Sequence, residues 1–83
     1  MVKNIGADRA VSRGHFVNVI SQLEKHLNIP GSSVRKRLVI RDLEKIEDFD
    51  DAYSMSRQSQ ERTFISILKK YYQISDRTIQ QFL

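Results

Sequence analysis

The sequence predicts an all-α protein, a compact bundle of four to five short helices. Two stretches, Phe16–Leu27 and Phe64–Tyr71, carry apolar residues at helical spacing. A third, Val34–Ile46, also places an apolar series on one helical face. Eighty-three residues suffice for one domain. We therefore assign residues 1–11 to a flexible leader and residues 12–83 to a single helical domain.

The first predicted helix has its apolar residues at i, i+4, i+7 and i+11, namely Phe16, Ile20, Leu23 and Leu27. Ser12 precedes this series and is a suitable N-cap. The segment 28–33 ends the helix, because Pro30 disfavours helical geometry at Ile29 and Gly31 permits a turn.

The stretch Val34–Ile46 has two interpretations. As a helix capped by Ser33, it buries four apolar side chains on one face: Val39, Ile40, Leu43 and Ile46. As a strand over residues 34–41, it would place Arg35, Arg37 and Arg41 on one face, against Lys36, Leu38 and Ile40 on the other. This alternation resembles the DNA-facing strand of a ribbon-helix-helix dimer. We favour the helix because the apolar series continues at helical spacing beyond residue 41.

The later elements follow from similar patterns. Residues 48–59 are rich in Asp and Ser and predict one or two connections, with Phe49 and Tyr53 as anchors. Either Asp50 or Asp51 could cap a short helix through Tyr53 and Met55. A longer helix is predicted from about Ser59 to Tyr72, with Tyr71 in its apolar stripe and Tyr72 on the flank. A last short helix, capped by Ser75, brings Ile79 against Phe82 and Leu83.

Composition excludes several classes of protein. The chain has no cysteine, which excludes disulfides, thiolate zinc sites and cysteine nucleophiles. No apolar run approaches the roughly 18 residues of a membrane span, and the N-terminus lacks a signal-peptide hydrophobic region. We therefore expect no membrane partner and a cytoplasmic location, or a nuclear one in a eukaryote.

Enzyme chemistry finds no support in the sequence. There is no glycine-rich phosphate loop and no nucleophile motif. His15 and His26 are about 16 Å apart along a helix, too far to share a metal ion. The acidic run from Glu47 to Asp51 lacks calcium-loop spacing. We therefore expect no enzyme activity, no metal and no cofactor.

Charge is unevenly distributed along the chain, whose net charge is +4. Residues 1–45 carry +5, residues 46–61 carry −4 and residues 62–83 carry +3. A helix over residues 34–46 would align Arg37, Arg41 and Lys45 on one face, which suits a phosphate backbone. A solvated face, partly neutralised by Asp42 and Glu44, remains the alternative. The candidate nucleic-acid-binding residues are Arg35, Lys36, Arg37, Arg41, Lys45, Lys69, Lys70, Arg77, Gln80 and Gln81.

The C-terminal stretch Ile65–Leu83 resembles the second half of a helix-turn-helix DNA-binding motif. The resemblance rests on core and cap positions: Leu68, Ile74, Ser75, Thr78, Ile79 and Phe82. It implies that residues 76–81 lie in or near the major groove, where Arg and Gln side chains read base edges. Lys69 and Gln73 depart from the small residue and the glycine that the motif usually carries.

The order of the predicted helices also resembles the KIX domain, a three-helix module by which transcriptional coactivators bind amphipathic activation helices. Phe16–Leu27 would be its first helix and Ser59–Tyr72 its last. The resemblance implies an apolar groove with a basic rim. The candidate protein-interaction residues are Val34, Leu38, Ile65, Tyr72, Phe82 and Leu83.

Two functional hypotheses follow. The first is a small basic DNA-binding or regulatory accessory protein, acting as a homodimer because one short module seldom grips enough duplex alone. The alternative is a docking module for an acidic protein partner, without nucleic-acid contact. The first requires the Arg37, Arg41 and Lys45 face to be exposed and clear of residues 48–51. The second requires an exposed apolar groove.

Overall fold

The computed structural model describes residues 9–29 and 33–83. Within these ranges it contains four helices and no strand, so the predicted all-α bundle is confirmed and the strand interpretation of residues 34–41 is wrong. The helices are α1 (Arg13–His26), α2 (Val34–Glu44), α3 (Arg57–Tyr71) and α4 (Asp76–Gln80). The predicted leader residues 1–8 and the predicted turn residues 30–32 lie outside the described part of the chain.

The core lies between α1, α2 and α3 and is closed by the side chains of Phe49 and Ile79, both fully buried. Phe16 of α1 is its centre, with ring centroids 5.3 Å from Phe49 and 4.8 Å from Phe64. Such edge and tilted arrangements are those that aromatic quadrupoles favour. The apolar stripes predicted for α1, α2 and α3 supply most of the buried residues: Phe16, Val19, Ile20, Leu23, Val39, Leu43, Phe64 and Leu68.

Helix α1 ends in a Schellman motif. Asn28 adopts a φ of 60°, in the left-handed region that Asn tolerates better than most residues. The amide of Ile29 donates to the carbonyl of Glu24 at 2.8 Å, and the amide of Asn28 donates to the carbonyl of Lys25 at 3.2 Å. These hydrogen bonds accompany the end of α1 at His26. Pro30 and Gly31, to which the sequence analysis assigned the stop, lie outside the described residues.

The connection between α2 and α3 consists of turns and contains no short helix, contrary to the prediction. Asp51 satisfies this backbone locally, because its carboxylate accepts from the Tyr53 amide at 2.8 Å and from the Ser54 hydroxyl at 3.2 Å. Of the two predicted anchors, Phe49 is fully buried. Tyr53 is 97% exposed, so its assignment as an anchor was wrong.

A buried amide attaches the start of the domain to α3. Gln60 is 0% exposed and forms a pair of hydrogen bonds with the backbone of Val11, at 2.9 Å to its amide and 2.8 Å to its carbonyl. The same amide nitrogen donates to the carbonyl of Phe49 at 2.7 Å. Val11 was assigned to the leader, but these contacts tie it to the helical domain.

Arg13, the first residue of α1, contacts the connection between α2 and α3. Its guanidinium donates to the carbonyl of Ile46 at 2.8 Å, lies 3.6 Å from the Asp50 carboxylate and stands 5.9 Å from the ring centroid of Phe49. These contacts fix the acidic segment, residues 47–51, against α1. None of the helices in the described ranges is long and apolar enough to cross a membrane.

Candidate functional site

Helix α2 presents a row of cations on its outer face. Val39 and Leu43 point into the core, whereas Arg37, Arg41 and Lys45 are exposed. The three cations are four positions apart and extend over about 12 Å, because an α-helix rises 1.5 Å per residue. Lys45 follows the last helical residue and keeps a helical backbone, with φ −77° and ψ −13°. We call these three residues the basic row.

A buried carboxylate fixes the start of α2. Glu24 of α1 is 1% exposed, and its Oε2 atom accepts hydrogen bonds from the hydroxyls of Ser33 and Tyr72. Ser33 is the N-cap of α2, where its oxygen accepts from the Lys36 amide at 3.1 Å. Burial, reinforced by the hydrogen bond to Glu24, raises the pKa of Tyr72 well above its ordinary value. One side chain thus joins the ends of α1, α2 and α3.

Asp42 joins α2 to the end of α3. It accepts a hydrogen bond from the Tyr71 hydroxyl at 2.8 Å and lies 3.7 Å from the ammonium of Lys70. The Tyr71 hydrogen bond, with the nearby charges of Lys70, Lys45 and Arg41, holds the pKa of Asp42 below its ordinary value despite partial burial. Lys70 is thereby placed beside the basic row, and Asp42 neutralises part of its charge.

The remaining predicted cations lie elsewhere. The guanidinium of Arg35 stands 5.8 Å from the ring centroid of Tyr72. Lys36 donates to the Ser21 hydroxyl of α1 at 2.7 Å. Lys69 forms a 2.8 Å ion pair with Asp76 across the turn between α3 and α4. These three cations have intramolecular partners, so they are less available to an external anion than the basic row.

Helix α4 is short for a DNA-recognition helix. It spans five residues, about 7.5 Å at 1.5 Å per residue, and its first residue, Asp76, is negatively charged. Arg77, Gln80 and Gln81 are exposed, as expected. A helix this short would present little more than one turn to a major groove.

The acidic segment does not neutralise the basic row. Asp50 pairs with Arg13, and Asp51 is occupied within its own turn. Across residues 9–29 and 33–83, no carboxylate lies within ion-pair distance of Arg37, Arg41 or Lys45. The three side chains of the basic row are therefore exposed and form no ion pair with residues 48–51.

The predicted interaction residues do not gather in one groove. Val34 is 60% exposed and Leu38 half-buried, both on α2. Ile65 and Leu83 are half-buried and line a cleft of about 440 Å³ between α3 and α4, with Gln58, Glu61, Arg62 and Gln80. Phe82 packs against His26, with ring centroids 5.5 Å apart.

The predicted environment of Tyr72 was wrong. The prediction placed it free on the flank of α3 with Tyr71 in the core, whereas Tyr72 is 1% exposed and Tyr71 is half-buried. Helix α3 ends at Tyr71, and Tyr72 has an extended backbone with φ −120° and ψ 143°. The change of backbone conformation turns the Tyr72 side chain inward, so helical phase no longer describes it.

The sequence analysis missed Glu24, Gln60 and Asp42 as positioning residues. Glu24 and Gln60 lie next to or within apolar stripes, and that position was the only available signal. No metal ligands accompany them, because the described residues contain no group of three His, Cys, Asp or Glu side chains arranged to hold an ion. His15 packs on Phe16 and His26 on Phe82.

No family model, no curated protein and no solved structure matches this chain.

Proposed function

We propose that the protein binds nucleic acid, with duplex DNA as the preferred partner, through the basic row of α2. The observation that carries this proposal is the exposure of Arg37, Arg41 and Lys45 without an ion-pair partner among the described residues. Their spacing over about 12 Å parallels several phosphates, since duplex DNA carries one negative charge per about 1.7 Å of its axis.

The mode of binding follows from the side chains present. Guanidinium groups form bidentate hydrogen bonds with phosphate oxygens, and Lys45 contributes a compact charge at the end of the row. Phosphate contacts of this kind fix the position of a protein on the duplex and carry no sequence information. Binding therefore depends on phosphate neutralisation and has low sequence preference, as suits a regulatory accessory factor.

Two positioning contacts support this surface. Glu24 holds the N-cap of α2, and Asp42 holds the last turn of α2 against Tyr71 and Lys70. The row is thus presented on a fixed helix, which reduces the entropy lost when the side chains meet phosphates. Lys70 extends the row towards α3.

A matched pair of double variants tests the proposal. Arg37→Glu with Arg41→Glu should abolish binding to a labelled mixed-sequence duplex in fluorescence anisotropy. Arg62→Glu with Arg77→Glu makes the same change in net charge away from the row and should leave most of the affinity. Equal loss in both variants would show that only net charge matters, and unchanged binding in the first would refute the site.

Circular dichroism and thermal unfolding of both variants complete this experiment. All four arginines are exposed, so each substitution should change the free energy of unfolding by about 0.5 kcal/mol or less. A collapse of thermal stability in the first variant would make Arg37 and Arg41 structural residues and the assignment wrong.

A further inference from the structure

A small pocket lies between α1 and the first half of α2. It measures about 250 Å³, and it is lined by Ser21, Glu24, Lys25, Ile29 and Lys36. Pockets that hold drug-sized ligands measure about 300–1,000 Å³, so this volume suits a smaller molecule. The basic row contributes none of the lining residues.

Glu24 contributes a buried carboxylate to the lining. Its side chain is 1% exposed, and no cation lies within ion-pair distance of it in residues 9–29 and 33–83. Its Oε2 atom accepts from Ser33 and Tyr72, whereas its Oε1 atom is buried without a hydrogen-bond partner in the same ranges. Buried polar atoms nearly always have a partner, and buried charges are usually paired. The Oε1 atom can therefore accept from a cationic donor.

Two ammonium groups belong to more exposed side chains of the same pocket. Lys25 is exposed and Lys36 is half-buried, and neither forms an ion pair within the described part of the chain. Lys36 donates to the neutral hydroxyl of Ser21 at 2.7 Å. This bond positions the Lys36 ammonium without neutralising it and leaves two of its three donors for an anion.

The pocket also has an apolar part. Ile29 is half-buried, and its amide donates to the Glu24 carbonyl at 2.8 Å, which fixes its backbone at the end of α1. The lining therefore combines a buried negative charge, two more exposed positive charges and one apolar side chain. A ligand of a single charge would satisfy only part of this set, whereas a small zwitterion satisfies both signs.

We propose that the pocket binds a free α-amino acid with a small apolar side chain. The ammonium of the ligand donates to Oε1 of Glu24, its carboxylate contacts Lys25 and Lys36, and its side chain packs on Ile29. This inference is independent of nucleic-acid binding, because it uses no residue of the basic row.

NMR titration of the isotope-labelled chain with L-valine tests the proposal. The amide resonances of Lys25, Ile29 and Lys36 should shift together with a Kd of about 0.1–1 mM, as expected for a ligand of so few atoms. N-acetyl-L-valine lacks the ammonium and L-valinamide lacks the carboxylate, so each should bind about tenfold more weakly. Absence of shifts at about 10 mM L-valine would overturn the proposal. Equal binding of N-acetyl-L-valine would also overturn it, because the pocket would then recognise an anion alone.

Two variants test the charges of the pocket separately. Lys36→Gln should weaken L-valine binding about fivefold, whereas Lys69→Gln, the matched control on α3, should leave it unchanged. Glu24→Gln keeps an oxygen that accepts from Ser33 and Tyr72 but loses the negative charge, so binding should fall about tenfold. Circular dichroism checks the fold of each variant, and the two lysine variants decide the matter if Glu24→Gln unfolds. Undiminished binding by Lys36→Gln, or equal losses in both lysine variants, would refute the site.

Discussion

The hydroxyl of Tyr71 donates a hydrogen bond to the carboxylate of Asp42 at 2.8 Å, joining the last residue of α3 to the last turn of α2. The same carboxylate lies 3.7 Å from Lys70. Asp42 therefore does two things: it fixes the helix that carries the basic row, and it places one negative charge among the cations proposed to meet phosphate.

Removing this charge should strengthen nucleic-acid binding. In Asp42→Asn the amide oxygen still accepts from Tyr71, while Arg41, Lys45 and Lys70 lose a neighbouring negative charge. We expect a two- to fivefold gain in affinity for duplex DNA at low salt, about what a partly exposed charge contributes. Anisotropy titrations would measure it, and unchanged or weaker binding by a folded Asp42→Asn protein would contradict the account.

Acid should weaken the contact between α2 and α3. The hydrogen bond from Tyr71 lowers the pKa of Asp42 below its ordinary value of 3.8. A depressed pKa in the folded state stabilises the protein above the unfolded-state pKa, and this contribution is lost as pH falls through the folded-state value. The difference in thermal stability between wild type and Tyr71→Phe should therefore narrow below about pH 4. A constant difference from pH 6 to pH 2 would disprove this assignment.

High pH should destabilise the folded protein through the ionisation of Tyr72. Burial first, and the hydrogen bond to Glu24 second, raise its pKa above the ordinary value of 10.0. The stability that the neutral, buried Tyr72 hydroxyl contributes is therefore complete below pH 10. It is lost as pH rises above 10, because the phenol ionises in the unfolded chain before it does so in the folded protein. Tyr72→Phe should be about 0.5–2 kcal/mol less stable at pH 7 and should lose less stability between pH 9.5 and 11.5.

Tyr53→Phe is the matched control for this experiment, because Tyr53 is 97% exposed and should not contribute to the alkaline loss. Urea unfolding at each pH supplies the free energies. If Tyr72→Phe and Tyr53→Phe lost stability in parallel above pH 10, the alkaline sensitivity would arise elsewhere.

Gln60 should be the most sensitive polar position of the fold. Gln60→Ala removes three hydrogen bonds and leaves backbone groups of Val11 and Phe49 without partners. We expect a loss of about 2–4 kcal/mol in the free energy of unfolding. Gln58→Ala, two residues earlier on the same helix but exposed, should change it by about 0.5 kcal/mol or less. Equal effects would show that the buried amide contributes little.

The helices were predictable because their signals are local. Apolar spacing and the serines before α2 and α4 predict those elements, and the hydroxyls of Ser33 and Ser75 do accept from the first-turn amides at 3.1 and 3.2 Å. Ser12 stands at the predicted N-cap of α1 but makes no side-chain capping hydrogen bond. Helix identity thus follows from short-range pattern even where the cap chemistry differs.

The polar contacts that position the site were not predictable, because their partners are distant in sequence. Glu24 and its hydrogen-bond partner Tyr72 are 48 positions apart in the sequence, and Gln60 and its partner Val11 are 49 positions apart. The exposure of Tyr53 and the burial of Tyr72 depend on where the backbone leaves a helical path. Helical phase carries no information about that point, so the two tyrosines were assigned the wrong environments.

The salt dependence of DNA binding tests the central claim most directly. Wild-type protein should be titrated into a labelled mixed-sequence duplex at about 50 and 200 mM salt. If the basic row contacts three phosphates, or four with Lys70, affinity should fall about 40- to 150-fold between these conditions, because each contact contributes about −0.9 to the slope of log affinity against log salt. Absence of binding at the lower salt, or binding that salt does not weaken, would contradict the assignment of α2 as a phosphate-binding surface.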